Sequence, residues 1–208
     1  MDRELQQLRQ VFKDSNVIVE KCGIGKVNAA LGVARMIGEH RPDCIISSGC
    51  AGGNGQNVNV RDVVVSTQLA YHDVYCGQAE NESLQYGQVQ GMPPRFEADP
   101  YLLQKSRELK AVSGEYNIHH GLIVTGDWFV DSKEKMQQIV DLFPEAIAVD
   151  MESAAIAQAC HKSSVPFISF RVVSDMPLRD SHASQYHDFW NKVAQQSFNI
   201  TKAFVESL

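Results

Sequence analysis

Carboxylates placed where strand-like runs give way to other structure are the first residues in this chain that could do chemistry. Asp150-Met151-Glu152 follows the apolar run Ala146-Ile147-Ala148-Val149 and precedes an alanine-rich helical stretch. An acid at such a junction can cap the helix and gain from its dipole, which is the simpler reading of Asp150. Glu152 can instead grip sugar hydroxyls, because a carboxylate accepts two hydrogen bonds in a fixed fork. Ser174-Asp175 ends the run Phe167–Val173. A partly desolvated carboxyl there has a raised pKa and can act as a general acid. Arg171, on the same strand, would oppose that rise if it were close. A solvated Ser-Asp turn is the equal alternative.

The other motifs are weaker. Gly49 to Gly55 holds four glycines after a buried run. Such a turn lets the backbone approach a ligand and present N–H groups. It lacks the dinucleotide-binding spacing, and Gly25-Lys26 is followed by Val27 rather than the Ser or Thr of a phosphate loop. Taken alone, a tight strand-to-loop turn explains it. The seven histidines show no metal-binding spacing, so no metal or cofactor is expected. His72-Asp73 reads as a structural hydrogen-bonding pair, and His119, His120 and His161 as residues at element ends.

These residues need a frame, and short β-rich runs alternating with helical patterns supply one. Strands are expected at Val17–Val19, Cys44–Ser48, Val63–Thr67, Gly121–Thr125, Ala146–Val149 and Phe167–Val173. Helices are expected at Lys26–His40, Pro100–Val112, Lys133–Leu142, Glu152–Lys162 and Ser184–Ser207, the first from Val27, Ala30, Leu31, Ala34 and Ile37 at helical spacing. Tyr75 to Phe96 is polar, marked by Gly and Pro, and reads as a long loop of the functional kind. The pattern predicts an α/β fold with a largely parallel sheet flanked by helices on both faces, a three-layer sandwich. Ligands of such sheets bind at the carboxyl ends of strands, where the motifs above fall.

With 208 residues, 44% hydrophobic and 21% charged, the chain reads as one globular domain over residues 1–208. A net charge of −6 argues against binding to nucleic acid or an anionic membrane. There is no membrane-spanning run, and Met1-Asp2-Arg3-Glu4-Leu5 is unlike a signal peptide. Cys22, Cys44, Cys50, Cys76 and Cys160 are odd in number and lack C-x-x-C spacing. They read as buried thiols in a reducing cytoplasm.

Taken together the motifs resemble one family. Gly23-Ile24-Gly25-Lys26-Val27-Asn28-Ala29-Ala30, Ser48-Gly49-Cys50-Ala51-Gly52-Gly53, Tyr71-His72-Asp73, Gly126-Asp127-Trp128-Phe129, Ala148-Val149-Asp150-Met151-Glu152 and Val173-Ser174-Asp175 occur in order over nearly the whole chain. They are similar to the 5′-methylthioadenosine/S-adenosylhomocysteine nucleosidases of the nucleoside phosphorylase superfamily. The resemblance implies hydrolysis of an N-glycosidic bond, releasing adenine and a 5-thio-substituted ribose, with no cofactor. Cleavage through an oxocarbenium-like sugar, by analogy with O-glycosides, asks for two carboxyl groups.

The resemblance also implies roles. Asp175 protonates adenine, oriented by Ser174, and Glu4 activates water. Glu152 and the Met151 backbone hold the ribose, and Arg171 organises Glu152 and the water. Phe129 stacks on the base, whose edge the Val130 backbone reads. Cys50, Ala51, Gly52 and Asp150 line the substrate. Ile24 and Tyr186 line the ribose and alkylthio side. Leu84 and Val89 reach the neighbouring subunit's site, which implies a homodimer. Three departures from the family stand out. Met1 lies only three residues ahead of Glu4, where the family has a strand. The family's further β-structure between Asp14 and Val17 is absent, so either the sequence is a shortened piece of the protein, the reading favoured here, or the protein is crippled with Glu4 poorly anchored. Cys50 and Asp150 stand where many members have Ser and Glu. Rival readings are a purine nucleoside phosphorylase, an aminodeoxyfutalosine hydrolase and a noncatalytic nucleoside-binding protein. The first needs cationic or N–H partners for phosphate, and Ser47 to Gly55 contains no arginine. The last would not be expected to keep Glu4, Glu152 and Asp175.

Overall fold

The computed structural model describes residues 2–13, 17–54, 57–77, 84–110, 116–179 and 199–208. In chain order these form α1 (Asp2–Val11), α2 (Lys26–His40), β1 (Ile45–Gly53), β2 (Val63–Tyr71), β3 (Phe96–Glu97), α3 (Pro100–Arg107), β4 (Ile118–Thr125), α4 (Lys133–Leu142), β5 (Ala146–Asp150), α5 (Ser153–Ser163), β6 (Phe167–Asp175) and α6 (Asn199–Val205).

Valine-rich β2 is the centre of the sheet. It pairs parallel with β4, antiparallel with β3, and antiparallel with β6 through Val63–Val65. The order is β3-β2-β4-β5-β1-β6, with parallel β4–β5 and β1–β6 pairs. Because β6 returns to β2, the mixed sheet curls onto itself. Alternate side chains leave a strand on opposite faces. Val63, Val65, Ile168 and Phe170 therefore pack with Ile200 and Phe204 of α6. Val64, Leu69, Ile123 and Ala148 meet the small residues of α5 and α2, and Leu122 and Val124 meet Met136 and Ile139 of α4.

Local chemistry sets the helix ends. Asp99 accepts from the Tyr101 and Leu102 amides at 3.0 Å, with Pro100 in the first turn of α3. Ser132 accepts from the Lys135 amide at the start of α4. Arg41 and Ser164 end α2 and α5 in the left-handed region.

Several expectations are corrected. Val17–Val19 is not a strand; among the described residues its backbone joins no ladder of the sheet. The glycine run is not a turn, since β1 continues through Gly53. A side chain at Gly53 would drive into Met176 and Val173, so glycine there serves close strand packing. Helix α3 stops at Arg107 rather than Val112. His119 and His120 lie within β4, and Cys76 is exposed. Helix α2 has the expected bounds, but it buries Ala29 and Val33 while Val27 and Leu31 are 69% and 65% exposed. Helix α1 was not foreseen. Of the expected helix Ser184–Ser207, residues 184–198 lie outside the described residues.

The turn into β2 stores strain beside a hydrogen-bonding knot. Arg61 has φ 83°, a region costing a non-glycine residue on the order of 1–2 kcal/mol, and its Nε is buried without a hydrogen bond. Next to it, Asp62 accepts from the Asn59 and Asn117 amides and from His119 Nε2. Burial pushes the Asp62 carboxyl up, but these donors outweigh it and hold the group below its ordinary range. Arg61→Gly is expected to stabilise the protein by about 1 kcal/mol, seen as a higher denaturant midpoint at unchanged slope. A depressed folded-state pKa contributes stability that is present above the unfolded value and lost as pH falls through the folded one. Asp62→Asn should therefore be clearly less stable than the parent at neutral pH. The difference should shrink once the pH drops below about 4 in acid-unfolding curves.

Candidate active site

The carboxyl ends of β1, β5 and β6 and the segment after β4 open on one cavity. Its walls include Ile24, Cys50, Ala51, Gly52, Phe129 and Val130, together with Asp150, Met151, Glu152, Arg171, Ser174 and Asp175. Helix α1 adds Leu5 and Leu8.

The Ser174–Asp175 end of the cavity is built by strand register. Ala51 pairs with Val173, but Gly52 pairs with Asp175. Ser174 is thus an extra residue on β6, a bulge of the kind that re-aims side chains beside active sites. Ser174 and Asp175 are both buried, and Ser174 Oγ donates to Asp175 Oδ1 at 2.7 Å. A Cβ at Gly52 would meet Pro177 at 3.3 Å and Asp175 Oδ2 at 3.8 Å, so a larger residue there would crowd the carboxyl.

The Glu152 end of the cavity is built at the β5–α5 junction. Asp150 accepts from Thr125 Oγ1 at 2.5 Å, from the Ser153 amide at 3.2 Å, from Ser153 Oγ, and from Arg171 Nε at 2.6 Å. This is the capping role for which Asp150 was the simpler candidate. Glu152 makes no capping bond with its side chain. Its Oε1 instead accepts from the Gly25 amide at 3.1 Å, which fixes the carboxylate at the cavity wall. Arg171 also donates to Ser47 Oγ at 2.9 Å. One tie from Arg171 to Glu152 runs through Asp150, whose Oδ1 accepts the Glu152 amide at 3.3 Å.

The third wall is aromatic. Phe129 is 56% exposed at the cavity, with Val130 buried behind it. The loop that carries them rests on Gly126, where any side chain would overlap the His72 ring. His72 is not the hydrogen-bonding group expected. It is buried, neither ring nitrogen has a hydrogen bond among the described residues, and desolvation holds its pKa below the ordinary value.

Carboxyl groups, an aromatic side chain and glycine backbone lining one cavity suit a purine nucleoside, and the comparisons with known proteins agree. The Phosphorylase superfamily profile matches residues 6–206. A 5′-methylthioadenosine/S-adenosylhomocysteine nucleosidase of Chromohalobacter salexigens is 39% identical over 92% of this chain and 80% of its own. That of Staphylococcus aureus is 38% identical over 95% and 85%. The chain belongs to this nucleosidase family of the phosphorylase superfamily. Its fold is that of the solved family members. The S. pneumoniae nucleosidase with the transition-state inhibitor MT-ImmA superposes with a TM-score of 0.86 at 32% identity, covering 100% of this chain and 96% of that one. The Neisseria meningitidis nucleosidase in complex with methylthio-immucillin-A gives 0.86 at 35%, with the same coverage.

Against this family background, most of the residues expected from sequence share the cavity. Leu84 and Val89 do not line it, and Val89 packs against the chain's own core along with Met92. Glu4 lies in the first turn of α1, with its side chain outside what is described. Tyr186 lies outside the described residues altogether. Sequence reasoning missed Leu5, Leu8, Cys22 and Ser47 as wall residues. Only the amphipathic spacing of Leu5, Leu8 and Val11 offered a signal. Burial pushes the Cys22 thiol up, keeping it protonated and unreactive.

Asp175→Asn is expected to lower kcat by about 10²–10⁴ while holding an adenosine analogue within a few-fold of the parent affinity, because an amide still donates a hydrogen bond. Steady-state kinetics with equilibrium binding check this. Near-normal turnover would place the acid elsewhere.

Proposed function

We propose that this chain hydrolyses the N-glycosidic bond of 5′-methylthioadenosine and S-adenosylhomocysteine, releasing adenine and the 5-thio-substituted ribose. The observation that carries the reading is the convergence of the Ser174–Asp175 pair and Glu152 on one cavity walled by Phe129. Adenine stacks on Phe129 and presents its edge to the Val130 backbone. Asp175 gives its proton to the base as the bond to the anomeric carbon breaks, so adenine leaves neutral. Glu152 accepts hydrogen bonds from the ribose hydroxyls and holds the sugar while it carries positive charge. Glu4, on the helix that lends Leu5 and Leu8 to the wall, takes a proton from the water that forms the new bond to carbon.

Water rather than phosphate is the nucleophile. Arg171 is the guanidinium in the described wall, and it is committed to Asp150 in a buried pair. A phosphate there would have to displace that carboxylate.

The active form is a homodimer. Val27, Leu31 and Ala34 make an exposed stripe along α2, and Ile24 and Phe129 at the cavity rim are exposed beside its start. A second copy of this chain covers such a face. The case rests on α2 rather than on Val89 and Met92, which are already packed. Leu84, outside its own chain's cavity, is the loop residue left to reach the partner's. No helix among the described residues is long and apolar enough to cross a membrane, and an odd number of cysteines without C-x-x-C spacing suits the cytoplasm.

Incubation with methylthioadenosine is expected to give free methylthioribose and adenine at a rate unchanged by phosphate. A sugar 1-phosphate product, or a requirement for phosphate, would overturn the assignment. In sedimentation experiments the protein should run as a dimer and Leu31→Glu should shift it toward monomer.

A further inference from the structure

Two neighbouring amides hold the two halves of the site together. The Gly25 N–H binds Glu152 Oε1 at 3.1 Å, and the Lys26 N–H binds Asp127 Oδ1 at 2.7 Å. Glu152 belongs to the sugar side, while Asp127 begins the segment that carries Phe129 and Val130. Gly25 sits at φ 85°, and a Cβ there would lie 2.9 Å from Asp127 Oδ1, so the approach needs glycine. The Lys26 side chain closes the arrangement. Its Nζ donates to both oxygens of Asp73 at 2.8 Å and lies 3.8 Å from Asp127 Oδ2. Asp73 Oδ2 in turn accepts the Asp127 amide at 2.8 Å. The ammonium also stands 5.5 Å from the centre of the Tyr71 ring. The Lys26 and Asp73 side chains are 23% and 25% exposed and that of Asp127 47%, so the Lys26–Asp73 attraction is less screened than at an open surface and the Lys26–Asp127 one is weaker.

We infer that Lys26 is a positioning residue for the purine: it clamps the 126–130 segment to the Gly25–Glu152 contact and so sets the distance between base and sugar subsites. The inference rests on the reading that Phe129 and Val130 hold the base and Glu152 the sugar. One cation here faces two carboxylates. Without it Asp73 and Asp127 repel each other across a single amide hydrogen bond, and the segment they anchor moves off the base. The Lys26 ammonium meets Asp73, Asp127 and Tyr71, none of which the proposed mechanism assigns to proton transfer, so its signature is base affinity.

The test uses the full chain, with adenine as the probe of the base subsite and methylthioadenosine as substrate. Lys26→Met is expected to weaken adenine binding and raise KM by about tenfold each, with a smaller fall in kcat. Lys26→Arg should recover most of the affinity, because it restores the charge between the two aspartates. Lys26→Met/Asp73→Asn should recover part of it, since an asparagine at 73 still accepts the Asp127 amide without repelling it. A lysine serving stability alone would shift the unfolding midpoint without this pattern of rescue. Phe129→Ala separates the two levels of the argument. If Phe129→Ala leaves adenine affinity intact, the base-site reading itself is wrong. If it weakens adenine binding while Lys26→Met does not, or if neither rescue occurs, the positioning role is overturned and the site reading stands.

Discussion

The Asp150–Arg171 pair is the contact on which the rest of the site depends. Both side chains are almost wholly buried, at 1% and 3% exposure, with Nε 2.6 Å from Oδ2. Two charges withdrawn from water repay their desolvation only when their remaining donors and acceptors are also satisfied. Here Thr125 and Ser153 complete Asp150, and Ser47 and the Phe170 carbonyl complete Arg171. One ion pair thereby ties β1, β4, β5, β6 and the first turn of α5 together. Removing either partner alone would strand a charge in the interior. The pair therefore constrains the strand ends far more tightly than apolar packing, which tolerates sliding.

That constraint divides the work of Asp150-Met151-Glu152. Asp150 caps α5, so Glu152 is released from capping although it occupies the cap position. Its carboxylate turns to the cavity and is steadied by the Gly25 amide. The pair also engages the Nε of Arg171, a residue of the cavity wall, with a carboxylate.

Close backbone approach is the second theme. Gly32 on α2 lets Cys22 pass so near that a Cβ would lie 2.9 Å from its Cα, which brings the 20–24 segment to the cavity without a strand to carry it. Gly52 keeps space beside Asp175, and Gly126 seats its loop on the His72 ring. In each case a side chain would displace a wall of the site, so these glycines act through the room they leave.

Periodicity and the order of motifs were enough to read the α/β class, the bounds of α2 and α4, and the cluster of Asp150, Glu152, Ser174 and Asp175 at strand ends. These depend on local propensity and on where strands stop, which a linear sequence carries. Other features depended on partners distant in the chain. Val17–Val19 has a strand's composition, but a strand exists only when a neighbour offers a ladder, and among the described residues this segment joins none of the sheet's ladders. The glycines after Ser48 read as a turn until β5 and β6 supplied pairing for them. Val27 and Leu31 show the right spacing for a buried face, yet spacing cannot say which face turns inward; packing of Ala29 and Val33 against α5 decided that. Arg171 and Asp150 lie 21 residues apart, and only the fold could show that one neutralises the other. Residue types thus determined which chemistry was possible, and tertiary pairing decided which charges were spent on the scaffold and which were left facing the substrate.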